Sequence, residues 1–206
     1  MELKKLPWVR FLPIIILVML SCQLASPAPL PTPSPVPQST PSEEDLAVTA
    51  QRVVFALQAR DLDALAAFVH PEKGVRFSPY TFAREEDLVF MPDHFSDLLA
   101  DQTVYEWGAY DGTGEPIHLT FAEYYDRFVY PFDYAAGAQI SYSQPIGFGN
   151  TINNLAEFYA GARVVEFYQA GTDQYSGMDW SSLRLVFEST SEGWKLIAIV
   201  NDIWTI

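Results

Sequence analysis

The sequence predicts an α+β domain over residues 42–206, with helices first and an antiparallel sheet closing the chain. Three observations carry that prediction. Apolar residues recur at helical spacing from Leu46 to Leu57. Three β-rich runs fill the last 45 residues. The composition, 49% hydrophobic and 15% aromatic over 206 residues, suffices for one well-filled core but not for two.

The first helix is predicted from Glu43 to Ala59. Ser42 with Asp45 makes a capping box after Pro41, and Leu46, Ala50, Val53, Val54 and Leu57 form its apolar stripe. Asp61 caps a shorter helix with Leu62, Leu65 and Val69 on one face. Pro71 ends it, because the residue before a proline avoids the α region. Gly74 makes a turn into a short strand, Val75–Ser78. Residues 84–101 are mixed, with a short helix capped by Asp93, and Thr103–Trp107 reads as a strand. Asp111–Pro116 is a turn cluster. Thr120 with Glu123 starts a helix to about Tyr130. Residues 131–161, rich in Gly, Pro, Asn and Tyr, read as a long insertion, with Gly147-Phe148-Gly149 as a turn. The closing strands are Ala162–Gln169, Leu183–Ser189 and Trp194–Trp204, the last two joined by a glycine-containing hairpin turn at 190–193. Leu183, Leu185 and Phe187 share one face; Arg184, Val186 and Glu188 share the other. That pattern suits a sheet covered on both sides.

Ahead of the domain lie two segments of different character. Residues 1–21 join a basic start (Lys4, Lys5, Arg10) to a ten-residue apolar run, Phe11–Leu20, short for a membrane span and suited to an export signal. Ser21 and Cys22 then resemble the bacterial lipobox, in which a small residue precedes a cysteine that becomes acylated; Met19 and Leu20 are unusual choices there. Cys22 is the sole cysteine, so no intrachain disulfide can form, and acylation would account for its thiol. An uncleaved anchor and ordinary secretion are the alternatives. Seven of the nineteen residues 23–41 are proline, which fixes φ and removes backbone donors. With Cys22 they form a tether (22–41), polyproline II in character, able to extend roughly 60 Å.

The formal charge is −14. The leader carries Lys4, Lys5 and Arg10 against Glu2, so the chain from Cys22 onward stands at −16. A surface this acidic repels nucleic-acid phosphates and anionic lipid alike. The expected place is the extracytoplasmic face of a bacterial cell membrane, held there by the lipid anchor.

The stretch Ala59–Pro71, ARDLDALAAFVHP, resembles the opening of the NTF2-like superfamily, which includes SnoaL-like and ketosteroid-isomerase-like proteins. The resemblance covers residues 44–71 directly, and the closing strands by order of elements. It implies a cone: a curved antiparallel sheet wrapped around the helices, with a pocket at its open end. It also leaves a homodimer through the sheets open.

No nucleophile elbow, phosphate loop, CxxC or dinucleotide fingerprint occurs. His70, His94 and His118 lack metal-ligand spacing, so no metal and no cofactor is expected. The resemblance puts His70 near the cone mouth, followed by Arg76 and Tyr80, which could meet an anion or a carbonyl oxygen. Their bland roles are a cap, an ion pair with Glu72 or a strand carboxylate, and packing. Asp111, Asp126, Glu166 and Asp202 are acid–base candidates by type. Glu166 and Arg184, on adjacent strands, suit a cross-strand pair. The aromatic runs YEWGAY and EYYDRFVY suit either core or sugar stacking. The expectation is a non-enzymatic domain that binds a small molecule or an envelope protein. A metal-independent acid–base enzyme and a glycan-binding module are the rivals.

Overall fold

The computed structural model describes residues 41–142 and 144–205; the leader, Cys22 and all of the tether but Pro41 lie outside them. The order of elements begins with two helices. Helix α1 (Glu43–Gln58) starts where the sequence placed it: the Ser42 side chain accepts from the Asp45 backbone N–H, and the Asp45 carboxylate accepts from Ser42. Its stripe Leu46, Ala50, Val53, Val54 and Leu57 is wholly buried. Helix α2 (Leu62–Ala66) is capped by Asp61, whose carboxylate accepts from the Ala64 N–H.

Among the described residues eight strands follow: β1 (Val75–Ser78), β2 (Val89–Phe90), β3 (Tyr105–Ala109), β4 (Pro116–Leu119), β5 (Gln139–Ser141), β6 (Arg163–Gln169), β7 (Ser181–Thr190) and β8 (Gly193–Ile203). Six form one sheet in the order β2-β1-β8-β7-β6-β5, and β3 pairs with β4 in a separate hairpin. The sheet is mixed, not purely antiparallel as expected: β1 runs parallel to β8, Phe77 opposite Ile199. A register shift between Val186 and Phe187 breaks the long β7–β8 ladder, an irregularity that bends strands. The architecture is α+β, and its order of helices and long closing strands is the one the family resemblance implies.

Both faces of the sheet are buried, as the split pattern on β7 predicts. One face carries Leu183, Leu185, Phe187, Leu196 and Ile199 against α1 and the aromatic residues of the central chain. The other carries Val186, Ala198 and Val200 beneath Leu155, Phe158 and Tyr159.

Five local expectations change. Helix α2 stops at Ala66 rather than at Pro71, and Val69 instead bridges Leu196 of β8. The strand at 103–107 begins and ends two residues later, and β4 emerges from the end of the turn cluster as its partner. The helix after Thr120 is a single α-turn, α3 (Phe121–Tyr124), that widens into a π-turn over Tyr125–Val129. Asp93 lies inside a 3-10 turn, Pro92–His94, rather than capping a helix. The insertion 131–161 holds β5, helix α4 (Leu155–Phe158) and an irregular strap; Gly147-Phe148-Gly149 belongs to that strap and is not a turn.

Candidate functional site

On the outer face of the sheet the register puts Glu166 of β6 opposite Arg184 of β7, and Ser182 of β7 opposite Asp202 of β8. Strand alternation turns all four the same way. Arg184 Nη2 lies 3.2 Å from Glu166 Oε1, and Nη1 lies 2.7 Å from Asp202 Oδ2; all three side chains are at most 4% exposed. The Nη1–Asp202 contact is an ion pair without hydrogen-bond alignment, and Nε also lacks an aligned acceptor among the described residues.

The strap lies over this cluster and is held by it. Glu166 accepts from the backbone N–H of Ile146 (2.5 Å) and Gly147 (3.1 Å) and from Ser182 Oγ (2.5 Å), while Arg184 Nη2 donates to the Gly147 carbonyl at 2.8 Å. Gly147 is needed for that approach: a Cβ there would fall 2.5 Å from Trp180 Cζ3 and 2.7 Å from Ser182 Oγ. A cavity of only about 110 Å³ remains beside the cluster, walled by Pro145, Leu155, Val164, Glu166 and Arg184. Its size and the locked side chains make it a packing feature, and the cluster a latch.

Burial pushes the Asp202 carboxyl up to about 6, with the Arg184 charge pulling it back and Glu166 raising it further. The native protein therefore holds this proton more tightly than the unfolded chain does between about pH 4 and 6. It loses stability as pH rises through that window, on the order of 3 kcal/mol from this group. Surface carboxylates held low by local hydrogen bonds, such as Asp45 and Asp179, act in the opposite direction. Comparison with Asp202→Asn separates the two. Thermal melts from pH 4 to 7 should show the wild type falling relative to Asp202→Asn, with the curves parallel above pH 7; curves parallel throughout would mean that Asp202 titrates normally.

The second feature sits at the end of the inner aromatic column. Trp107 stacks on Tyr124 with centroids 3.8 Å apart, and Tyr124 on Phe128 at 5.1 Å. Tyr80 and Tyr110 then close on Phe128 at 6.0 and 6.4 Å. Beyond them opens a cavity of about 400 Å³, within the range of small-ligand sites, walled by Tyr80, Phe82, Arg84, Asp87, Tyr110 and the 111–114 turn. Burial raises the Tyr80 hydroxyl and the Asp87 carboxyl, the latter opposed by hydrogen bonds from Ser78 and the Arg84 N–H. Asp111 is held low, chiefly by the hydroxyls of Thr151 and Thr205, both 2.7 Å from Oδ2.

The candidates from sequence separate in space. Glu166, Arg184 and Asp202 meet in the latch. His70 is 7% exposed, and its Nδ1 accepts from the N–H groups of Glu72 and Lys73, capping the turn into β1. Arg76 donates to the carbonyls of Arg84, Glu85 and Asp87, pairs with Glu85 at 3.5 Å rather than with Glu72, and lies over Phe158. Of these candidates only Tyr80 and Asp111 wall the cavity beyond Phe128; Arg76 lines a separate one of about 490 Å³ with Phe158 and Tyr159. Asp126 pairs with Arg60 on the surface. Among the described residues no three His, Cys, Asp or Glu side chains are grouped to hold a metal ion, and no helix is long and apolar enough to cross a membrane. Asp87 was missed from sequence. Its only signal is its place at the end of the charged run 84–87, directly before the apolar Leu88–Phe90, where a fold can draw one carboxylate inward.

No family model matches the chain, and no curated protein matches it. Among solved structures, one from Streptomyces avermitilis described as a "putative dehydratase from the NTF2-like family" aligns with 79% of this chain and 97% of its own at 12% identity. The TM-score is 0.29, so the likeness adds nothing to the topology above.

Proposed function

We propose that this chain is a lipid-anchored envelope protein whose domain binds a small ligand at the Tyr80–Tyr110 cavity without converting it. The observation that carries the reading is the filled interior: Phe77, Phe95, Trp107, Phe121 and Tyr124 are all buried side by side in the core. The cavity at the end of the aromatic column is walled by aromatic rings and by an aspartate, Asp111, whose oxygens are committed to structural hydrogen bonds. The anchor rests on the sequence alone: a basic start, a short apolar run, Ser21-Cys22 and a proline tether.

Two measurements test the reading. Full-length protein purified from membranes, denatured and analysed by mass spectrometry should release a small molecule that Tyr110→Ala fails to retain. Conversion of the released molecule when it is added back to fresh protein would replace binding with catalysis. Independently, Cys22→Ala should abolish fatty-acid labelling and move the protein out of the membrane fraction; unchanged partition would remove the anchor.

An acid–base enzyme is the second reading, and Asp87 is what favours it. A buried carboxyl with a raised pKa lining the same cavity as a half-buried tyrosine is a set of groups suited to acid–base chemistry. Under it, Asp87→Asn abolishes turnover while leaving binding intact.

A further inference from the structure

We infer that the Tyr80–Tyr110 cavity takes an uncharged, polyhydroxylated ligand, a sugar ring in the first instance; this rests on the binding reading above and names its ligand class. The walls are one part of the case. Tyr80, Phe82 and Tyr110 present three aromatic rings, and Phe82 is 42% exposed. Gly108, Gly112 and Gly114, at φ +105°, +87° and +72°, leave peptide edges without side-chain cover. A Cβ at Gly114 would meet nothing within 4 Å, so the space in front of that backbone is open.

The polar groups supply the other part. Asp87 Oδ2 accepts from Ser78 Oγ and from the Arg84 N–H, while Oδ1 has no hydrogen bond from a described residue. The Arg84 side chain likewise makes none and rests 5.9 Å from the Phe82 ring. An acceptor, a guanidinium donor and the Tyr80 hydroxyl thus border one aromatic-walled space.

Charge then selects among ligands. A cation would meet Arg84 and would gain little from Asp111, whose oxygens are taken. An anion would meet two carboxylates on a chain of formal charge −14. A neutral sugar avoids both costs. Its C–H face sets slightly positive hydrogens on the negative face of a ring, and its hydroxyls can bridge a carboxylate and a guanidinium.

The test is saturation-transfer NMR on the full chain in detergent micelles. Probes are maltotriose, cellotriose and tri-N-acetylchitotriose, with spermidine and trigalacturonate as charged competitors. At least one neutral trisaccharide should receive saturation, and Phe82→Ala and Tyr110→Ala should each weaken its binding about tenfold. Phe82 is a surface side chain, so its variant tests the wall without risk to the fold. Stronger binding of spermidine or trigalacturonate would overturn the inference, as would the absence of transfer to all three sugars. If mass spectrometry then still finds a molecule retained through Tyr110, the ligand class falls and the binding reading stands. If it finds none, both fall.

Discussion

Arg184→Leu should destabilise the domain by about 3–5 kcal/mol, the usual cost of leaving buried carboxylates without their counter-charge. Glu166 and Asp202 flank the guanidinium, and none of the three side chains is more than 4% exposed. Removing the cation strands two acids and also cuts the Gly147 anchor of the strap. Urea unfolding followed by tryptophan fluorescence reads the loss, and limited proteolysis at 144–149 reads the freed strap. The triple variant Glu166→Gln, Arg184→Leu, Asp202→Asn should recover much of the loss, since it removes the stranded charges with the cation. A loss below about 1 kcal/mol for Arg184→Leu would mean that water reaches the carboxylates.

Trp107→Ala should cost a similar amount, about 3–5 kcal/mol. Trp107 is 1% exposed, and it meets Phe77, Phe90, Tyr105 and Phe121 as well as stacking on Tyr124. Its indole N–H donates to the Leu119 carbonyl at 2.9 Å, tying β3 to the end of β4. Alanine leaves both a void in the column and an unpaired carbonyl. Trp107→Phe keeps a ring and loses chiefly the hydrogen bond, so it should cost about 1–3 kcal/mol. Equal losses for the two variants would show that the hydrogen bond, not the packing, holds the hairpin.

Much of the framework was legible because its signals are local. Ser42 and Thr120 announce their helices through capping boxes that form as written. Leu183, Arg184 and their neighbours declare two buried faces by simple alternation. The parallel pairing of β1 with β8 was not legible, because it joins residues more than a hundred positions apart and leaves no local mark. Strand β5 hid in a run of Gly, Pro and Tyr, since Gln139–Ser141 is too short to show a period. At the site, Glu166 and Arg184 could be paired from strand register, yet Asp202 required knowing that Ser182 faces it. The Tyr80–Tyr110 cavity draws on the loop after β1, the β3–β4 turn and the strap at once, so no single stretch of sequence outlines it.

The last strand lies inside the sheet, with β1 on one side and β7 on the other. Strand β1 therefore has no inner neighbour to join until residues 193–203 are available. Assembly of this sheet waits on residues 193–203, and contacts this distant in sequence place such folding on a scale of roughly milliseconds to seconds. A chain delivered N-terminus first would hold β1 without its parallel neighbour, open to proteases, until those eleven residues arrive.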